Sequence, residues 1–207
     1  MAGGTSSRFG RLKQYELLEG RRVLDWALSA ARAVSEGVVL VVPRDGGARG
    51  EPGVEAVVTG GATRSASVRA GLAAVPDEIE IILVHDAARP LAPVAVFERA
   101  IAAVADGADA AVPVVPVIDT IRQRHPDREG SVTLDRTTLR SVQTPQAFAA
   151  AALRRAHRGD PEATDDVGLV EALGGRVVEV EGDPVNLKLT HEADLAVARA
   201  LMRGWSA

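Results

Sequence analysis

With 207 residues, 46% of them hydrophobic, and a net charge of −4 from 24 basic and 28 acidic residues, the chain is long enough to bury a full core as one domain. The charges are interspersed rather than blocked, which argues against a nucleic-acid binder or a membrane-surface protein, so any basic site must be local. Cysteine is absent, which removes disulfides, thiolate metal sites and cysteine nucleophiles, and neither an apolar run of about 18 residues nor a signal-like N-terminus is present, so a cytoplasmic protein is expected.

In chain order, the first segment is a small-residue loop, Ala2-Gly3-Gly4-Thr5-Ser6-Ser7, followed by the cations Arg8, Arg11 and Lys13. Glycines let a backbone approach an anion closely, so the loop amides with Arg8 and Lys13 form a candidate polyphosphate cradle. Neither a Walker loop nor a dinucleotide glycine fingerprint fits the spacing. A helix near Val23 to Val34 leads to strands at Val38 to Val42 and Glu55 to Val58. Gly60-Gly61-Ala62-Thr63-Arg64-Ser65-Ala66-Ser67 then opens a helix running to Val75; it suits backbone contacts to a base or phosphate, or a plain helix cap by Thr63 or Ser65.

The strand Ile79 to His85 ends in Asp86-Ala87-Ala88-Arg89-Pro90. Asp86 is placed either to hold Mg²⁺, which takes carboxylate and phosphate oxygens, or to cap the next helix and pair with Arg89; His85 reads as structural. A helix at Val94 to Ala105 and a strand at Ala110 to Val117 follow. The polar, turn-centred stretch 118–142 reads as a β-arm leaving the body, with a second subunit as the expected packing partner. Helices at Phe148 to His157 and Asp165 to Leu173, a strand at Arg176 to Val180, the segment Gly182 to Thr190 and a helix at Glu192 to Met202 complete the chain. The expected architecture is α/β, a mostly parallel sheet with helices on both faces, whose ligands bind beyond the carboxyl ends of the strands.

Only two of the 24 basic residues are lysines, Lys13 and Lys188, one in each phosphate-binding-like segment at the two ends of the chain. Both are candidates for a compact, flexible ammonium at a site, against the alternative of chance survival on a solvated surface.

Taken together, these segments resemble the 2-C-methyl-D-erythritol 4-phosphate cytidylyltransferase family. The matching pieces are the Gly-Gly loop with Arg8 and Lys13-Gln14, Gly60-Gly61 with Arg64 and Ser67, Val84-His85-Asp86-Ala87-Ala88-Arg89-Pro90, Asp119-Thr120, Arg136 with Thr144-Pro145-Gln146, Thr164-Asp165-Asp166 and Asn186-Leu187-Lys188. The resemblance implies a Rossmann-like, glycosyltransferase-A-like nucleotidyltransferase domain over 1–207 that joins CTP to 2-C-methyl-D-erythritol 4-phosphate, forming a CDP-alcohol and releasing pyrophosphate with Mg²⁺, in non-mevalonate isoprenoid synthesis. It implies Arg8, Lys13 and Lys188 as catalytic cations, with Asp86 serving metal and nucleotide. Ala2, Gly3, Gly4, Gly60, Gly61, Arg64 and Ser67 would bind the nucleotide. Thr120 and Arg136, reaching across a homodimer through the arm, would bind the acceptor phosphate with Arg89 and Thr144.

Four departures from the family pattern stand out. Family members begin with an apolar strand before the glycine loop, whereas Met1 here stands almost at that loop, so an upstream start or a shortened form is expected. The loop is about two residues shorter between Arg8 and Lys13 than is usual in the family, with Leu12 in place of a proline. Ala62 replaces a frequent acid, and Val185 replaces another, leaving Asp183 as a displaced candidate metal ligand. Three rival readings are a cytidylyltransferase for another polyol phosphate such as ribitol 5-phosphate, a catalytically inactive nucleotide-binding relative, and a hydride-transferring Rossmann enzyme, the last disfavoured by its absent fingerprint.

Overall fold

The computed structural model describes residues 1–2, 12–44 and 51–204. In chain order the strands are β1 (Leu17–Leu18), β2 (Arg21–Arg22), β3 (Val39–Val42), β4 (Ala56–Thr59), β5 (Ile81–Val84), β6 (Ala110–Pro116), β7 (Arg122–Arg124), β8 (Ser131–Thr133), β9 (Arg140–Val142), β10 (Gln146–Ala149) and β11 (Val177–Glu181). The helices are α1 (Val23–Arg32), α2 (Arg64–Leu72), α3 (Val94–Ala105), α4 (Ala150–Ala156), α5 (Val167–Ala172) and α6 (Ala193–Gly204). Every strand and helix expected from the hydrophobic pattern is present, with ends shifted by a few residues. The β1–β2 hairpin is an addition to that pattern; its loop residues Glu19 and Gly20 both have positive φ, 47° and 77°, as a tight two-residue hairpin requires.

The main sheet runs β11-β6-β10-β5, with β9 also paired to β6. It is mixed: β11 lies parallel to β6, but β10 is antiparallel to both β5 and β6. Sequence reasoning places a helix from Phe148, because the alanines around it have high helix propensity. Pairing overrides that preference. Phe148 and Ala147, both fully buried, point to opposite faces, one into the Val84–Leu153 cluster and the other against Ala100 and Ala111, so the helix starts only at Ala150. α3 covers the Ala147 face with Val96, Phe97, Ala100 and Val104, a helical stripe buried throughout.

β3 and β4 form a separate parallel pair. Residues Met1 and Ala2 lie between β3 and β5: the Met1 ammonium donates to His85 O at 2.5 Å, Ala87 N donates to Met1 O at 2.9 Å, and Ala2 N donates to Val41 O at 2.8 Å. That is one rung of a parallel ladder touching both sides, so β3 and β5 are spaced by one strand's width. Beneath the rung lies a cavity of about 980 Å³ walled by Leu40, Val41, Val68, Ile82 and Val84 among others.

Within 118–142 the chain forms three short strands. β7 and β8 pair as a hairpin, and β9 returns the chain to the edge of β6. Among the described residues no helix is long and apolar enough to cross a membrane.

Candidate active site

Beyond the carboxyl ends of β3, β4 and β5 lies a cleft of about 590 Å³, within the range that small ligands occupy. Its walls include Ala2, Lys13, Arg44, Gly60, Gly61, Arg64, Ser67, Asp86 and Lys188. Four of these are cationic and one is a carboxylate, so a chain of net charge −4 concentrates positive charge here. The larger cavity beneath the Met1–Ala2 rung has no such convergence of cations and is not the place for chemistry on an anion.

The two lysines meet. Lys188 Nζ donates to Asp86 Oδ2 at 2.6 Å, and Lys13 Nζ donates to the carbonyl of Leu189, the residue after Lys188, at 2.7 Å. Asp86 follows the last residues of β5, and its backbone N–H is held by Thr144 Oγ1 at 3.0 Å. Burial works to raise the Asp86 carboxyl, but the Lys188 ammonium, with smaller help from the N-terminal ammonium and Arg64, outweighs it and holds the group at about 2. Asp86 is therefore an anion throughout the physiological range. Its partner is Lys188 and not Arg89, which settles the pairing left open by the sequence.

Gly60 and Gly61 belong where they stand. A Cβ on Gly61 would lie 2.4 Å from the Ala66 side chain, and one on Gly60 would lie 2.8 Å from Ser67 Oγ. Thr63 caps α2 by accepting from Ala66 N at 3.1 Å, so this segment is both a helix cap and a wall of the cleft. Ser67, at the wall, directs its hydroxyl to Thr63 O at 2.8 Å.

The remaining expected site residues do not line this cleft where the structure describes them. Arg8, Gly3 and Gly4 lie outside the described residues. Arg89 and Thr144 are buried behind the cleft: Arg89 Nη1 donates to Asn186 O at 2.6 Å, and Thr144 holds Asp86 and the His85 ring. Thr120 and Arg136 are exposed on the arm, with Arg136 donating to Ile118 O. Asp183 does not line the cleft; its carboxylate accepts from Val185 N at 2.9 Å. His85 is structural, with its ring 4.9 Å from that of Phe97, and burial followed by the nearby N-terminal ammonium pulls it down to about 3.

Sequence reasoning missed Arg44, for which an isolated arginine after a strand gives no signal, and the scaffold under Lys188. Asn186 is fully buried and donates to Thr144 O at 3.0 Å and Gln143 Oε1 at 3.1 Å, fixing the loop that presents Lys188. Its position two residues before the lysine was the available clue. Among the described residues no group of three or more potential metal-ligating side chains exists. Asp86 alone fits Mg²⁺, which commonly takes one or two carboxylates and completes its shell with phosphate oxygens and water.

Comparison with known proteins gives the family. The family model for 2-C-methyl-D-erythritol 4-phosphate cytidylyltransferase matches residues 1–204. The protein of that name from Thermus thermophilus is 43% identical over 212 aligned residues, covering 100% of this chain and 96% of the relative. The one from Rhodococcus opacus is 51% identical over 154 residues, 73% of this chain and 67% of the relative. The crystal structure of a Thermus thermophilus enzyme of the same name superposes with a TM-score of 0.81 at 40% identity, covering 98% of this chain and 96% of that one. With a glycine-walled cationic cleft at the strand ends and a match along nearly its whole length, the chain belongs to the 2-C-methyl-D-erythritol 4-phosphate cytidylyltransferase family of nucleotidyltransferases.

Proposed function

We propose that this chain transfers the cytidylyl group of CTP to 2-C-methyl-D-erythritol 4-phosphate, releasing pyrophosphate and supplying an isoprenoid precursor pathway in the cytoplasm. The observation that supports it most is the convergence of Lys13 and Lys188 beside Asp86 in a cleft walled by Gly60 and Gly61. Here an acceptor phosphate oxygen attacks the α-phosphorus of a triphosphate and pyrophosphate leaves. Both reactants are anions, so the protein's contribution is positioning and charge compensation, with no protein nucleophile needed.

Each described residue then has a role. Lys188, half exposed and held by Asp86 before substrate arrives, turns its ammonium to the α-phosphate and stabilises the charge on the transferring group. Lys13, with Arg8, attends the leaving phosphates. Mg²⁺, when bound at Asp86, supplies charge neutralisation across the phosphates. Gly61 and Ser67 face the cytosine, and Arg64 and the Ala2 backbone close the nucleotide side. Arg89 and Thr144 act through Asp86 and Asn186, whose positions they fix. The acceptor phosphate is bound by Thr120 and Arg136 from the arm of a second copy. Exposed apolar residues on the arm and where it rejoins the body, Ile118, Val132 and Val142, support such packing.

The test is Mg²⁺-dependent pyrophosphate release from CTP with methylerythritol phosphate and, in parallel, ribitol 5-phosphate. Release with the first alone is the expected result. Release with the second alone would reassign the acceptor, and CTP binding without turnover would indicate the inactive relative.

A further inference from the structure

We propose that Asp166 is a positioning residue for the transfer, holding the Arg64 guanidinium at the wall of the nucleotide cleft with His157 as its second anchor. The inference rests on the reading of that cleft as the nucleotide site. Asp166 is wholly buried, behind the cleft and outside its lining. Its Oδ2 lies 2.8 Å from Arg64 Nη1, an ion pair whose atoms do not align as a hydrogen bond, and its Oδ1 lies 3.0 Å from His157 Nε2. A carboxylate accepts, so His157 Nε2 is the donor of this contact, and the other ring nitrogen is buried without a hydrogen-bond partner.

A buried carboxylate is costly unless paired, and this one is paired on both oxygens. What it pairs with gives the arrangement its consequence. Arg64 is the first residue of α2, immediately after the Thr63 cap and the Gly60-Gly61 turn, and a free arginine there would sample many rotamers. With one nitrogen fixed from behind, the remaining donors of the guanidinium keep a defined place at the cleft wall. The surrounding segment is tied to α2 as well: Thr63 Oγ1 donates to Glu162 Oε1 at 2.9 Å, Ser65 Oγ accepts from Ala163 N at 3.1 Å, and Arg69 Nη1 donates to Pro161 O at 2.8 Å. Those ties are to backbone or exposed side chains. Asp166 is the member that is buried and touches a cleft-lining side chain, so its removal acts on the nucleotide and not only on stability.

The experiment is steady-state kinetics of Asp166→Asn, Arg64→Ala and the double variant, with CTP and acceptor varied separately and the Tm of each protein measured. Asp166→Asn is expected to lower kcat/KM for CTP about tenfold while leaving the KM for the acceptor within about twofold. The double variant should be no worse than Arg64→Ala alone, because the two residues act as one unit. Additive losses, or equal effects on both substrates, would overturn the proposal in favour of a purely structural carboxylate. Should Asp166→Asn fail to fold, His157→Gln, which keeps a donor toward Asp166, is to be compared with His157→Ala: rescue of the CTP parameter by glutamine supports the anchor, and identical CTP parameters in the two overturn it. A wild-type protein that neither binds nor turns over CTP would instead overturn the reading of the cleft itself, and this proposal with it.

Discussion

The two sides of the molecule are held together differently. From β5 to β11 the sheet is continuous, each strand hydrogen-bonded to its neighbour and its core filled by fully buried side chains such as Phe148 and Leu153. Between β3 and β5 the only ladder contact among the described residues is the Met1–Ala2 rung, above a cavity of about 980 Å³. The cleft lies on this seam. Asp86 and Lys188 come from the continuous side, while Gly60, Gly61 and Arg64 come from the β3–β4 side, so the shape of the cleft depends on contacts that cross between them. The ion pair of Arg64 with Asp166 is one such contact.

The largest expected effect tests that difference in packing. Leu153→Ala on the continuous side should cost about 4 kcal/mol in unfolding free energy, near the upper range for a buried leucine. Leu40→Ala, whose side chain already borders the cavity, should cost about 2 kcal/mol, because it surrenders fewer close contacts. Urea unfolding of both variants provides the comparison. Equal losses would mean that the gap between β3 and β5 closes in solution.

The next effect concerns the continuous side alone. Lys188→Arg retains the charge but replaces a compact ammonium by a planar fork, and should lower kcat roughly 10²-fold if the group acts on the transferring phosphate. The KM for CTP should change much less. An unchanged kcat would take Lys188 off the list of catalytic groups, and a loss confined to KM would make it a ground-state binder.

What could be read from the sequence divides along another line, between elements set by their own residues and elements set by their partners. Strands with unbroken apolar runs, such as Val39–Val42 and Ile81–Val84, and helices with a clear apolar stripe, such as α3, were legible because period and composition agree. β10 was not, since the strand character of Gln146-Ala147-Phe148-Ala149 exists only through its partners β5 and β6. In the site, the lysines stood out by rarity and Asp86 by its place at a strand end. What no single sequence shows is pairing: that Lys188 takes Asp86 and leaves Arg89 to a backbone carbonyl, or that Asp166 reaches back to Arg64 from the far half of the chain. Those are consequences of topology, and side-chain type alone carries no record of them.

The most graded effect is a pH dependence seated at the seam. His85 follows β5 and accepts from the Met1 ammonium on its carbonyl, and its buried ring is pulled from 6.5 to about 3 by burial first and the N-terminal ammonium second. Between those values the unfolded chain binds the proton and the folded chain does not, so the contribution of His85 to stability is full above pH 6.5 and is lost as pH falls toward 3. The slope contributed by this one group approaches about 1.4 kcal/mol per pH unit in the middle of that window. Asp86, held at about 2, adds its own loss only below the ordinary carboxylate range, and the Met1 ammonium, which burial lowers from 8.0, contributes with the same sign as the histidine, so the His85 share between about pH 6.5 and about 4.5 is the difference between wild type and a His85 variant. His85→Gln should flatten the stability profile there, read from urea midpoints at half-unit steps. A wild-type profile already flat across that interval would show that the His85 ring takes up a proton in the folded state, and that the seam beside Met1 admits the water that burial would exclude.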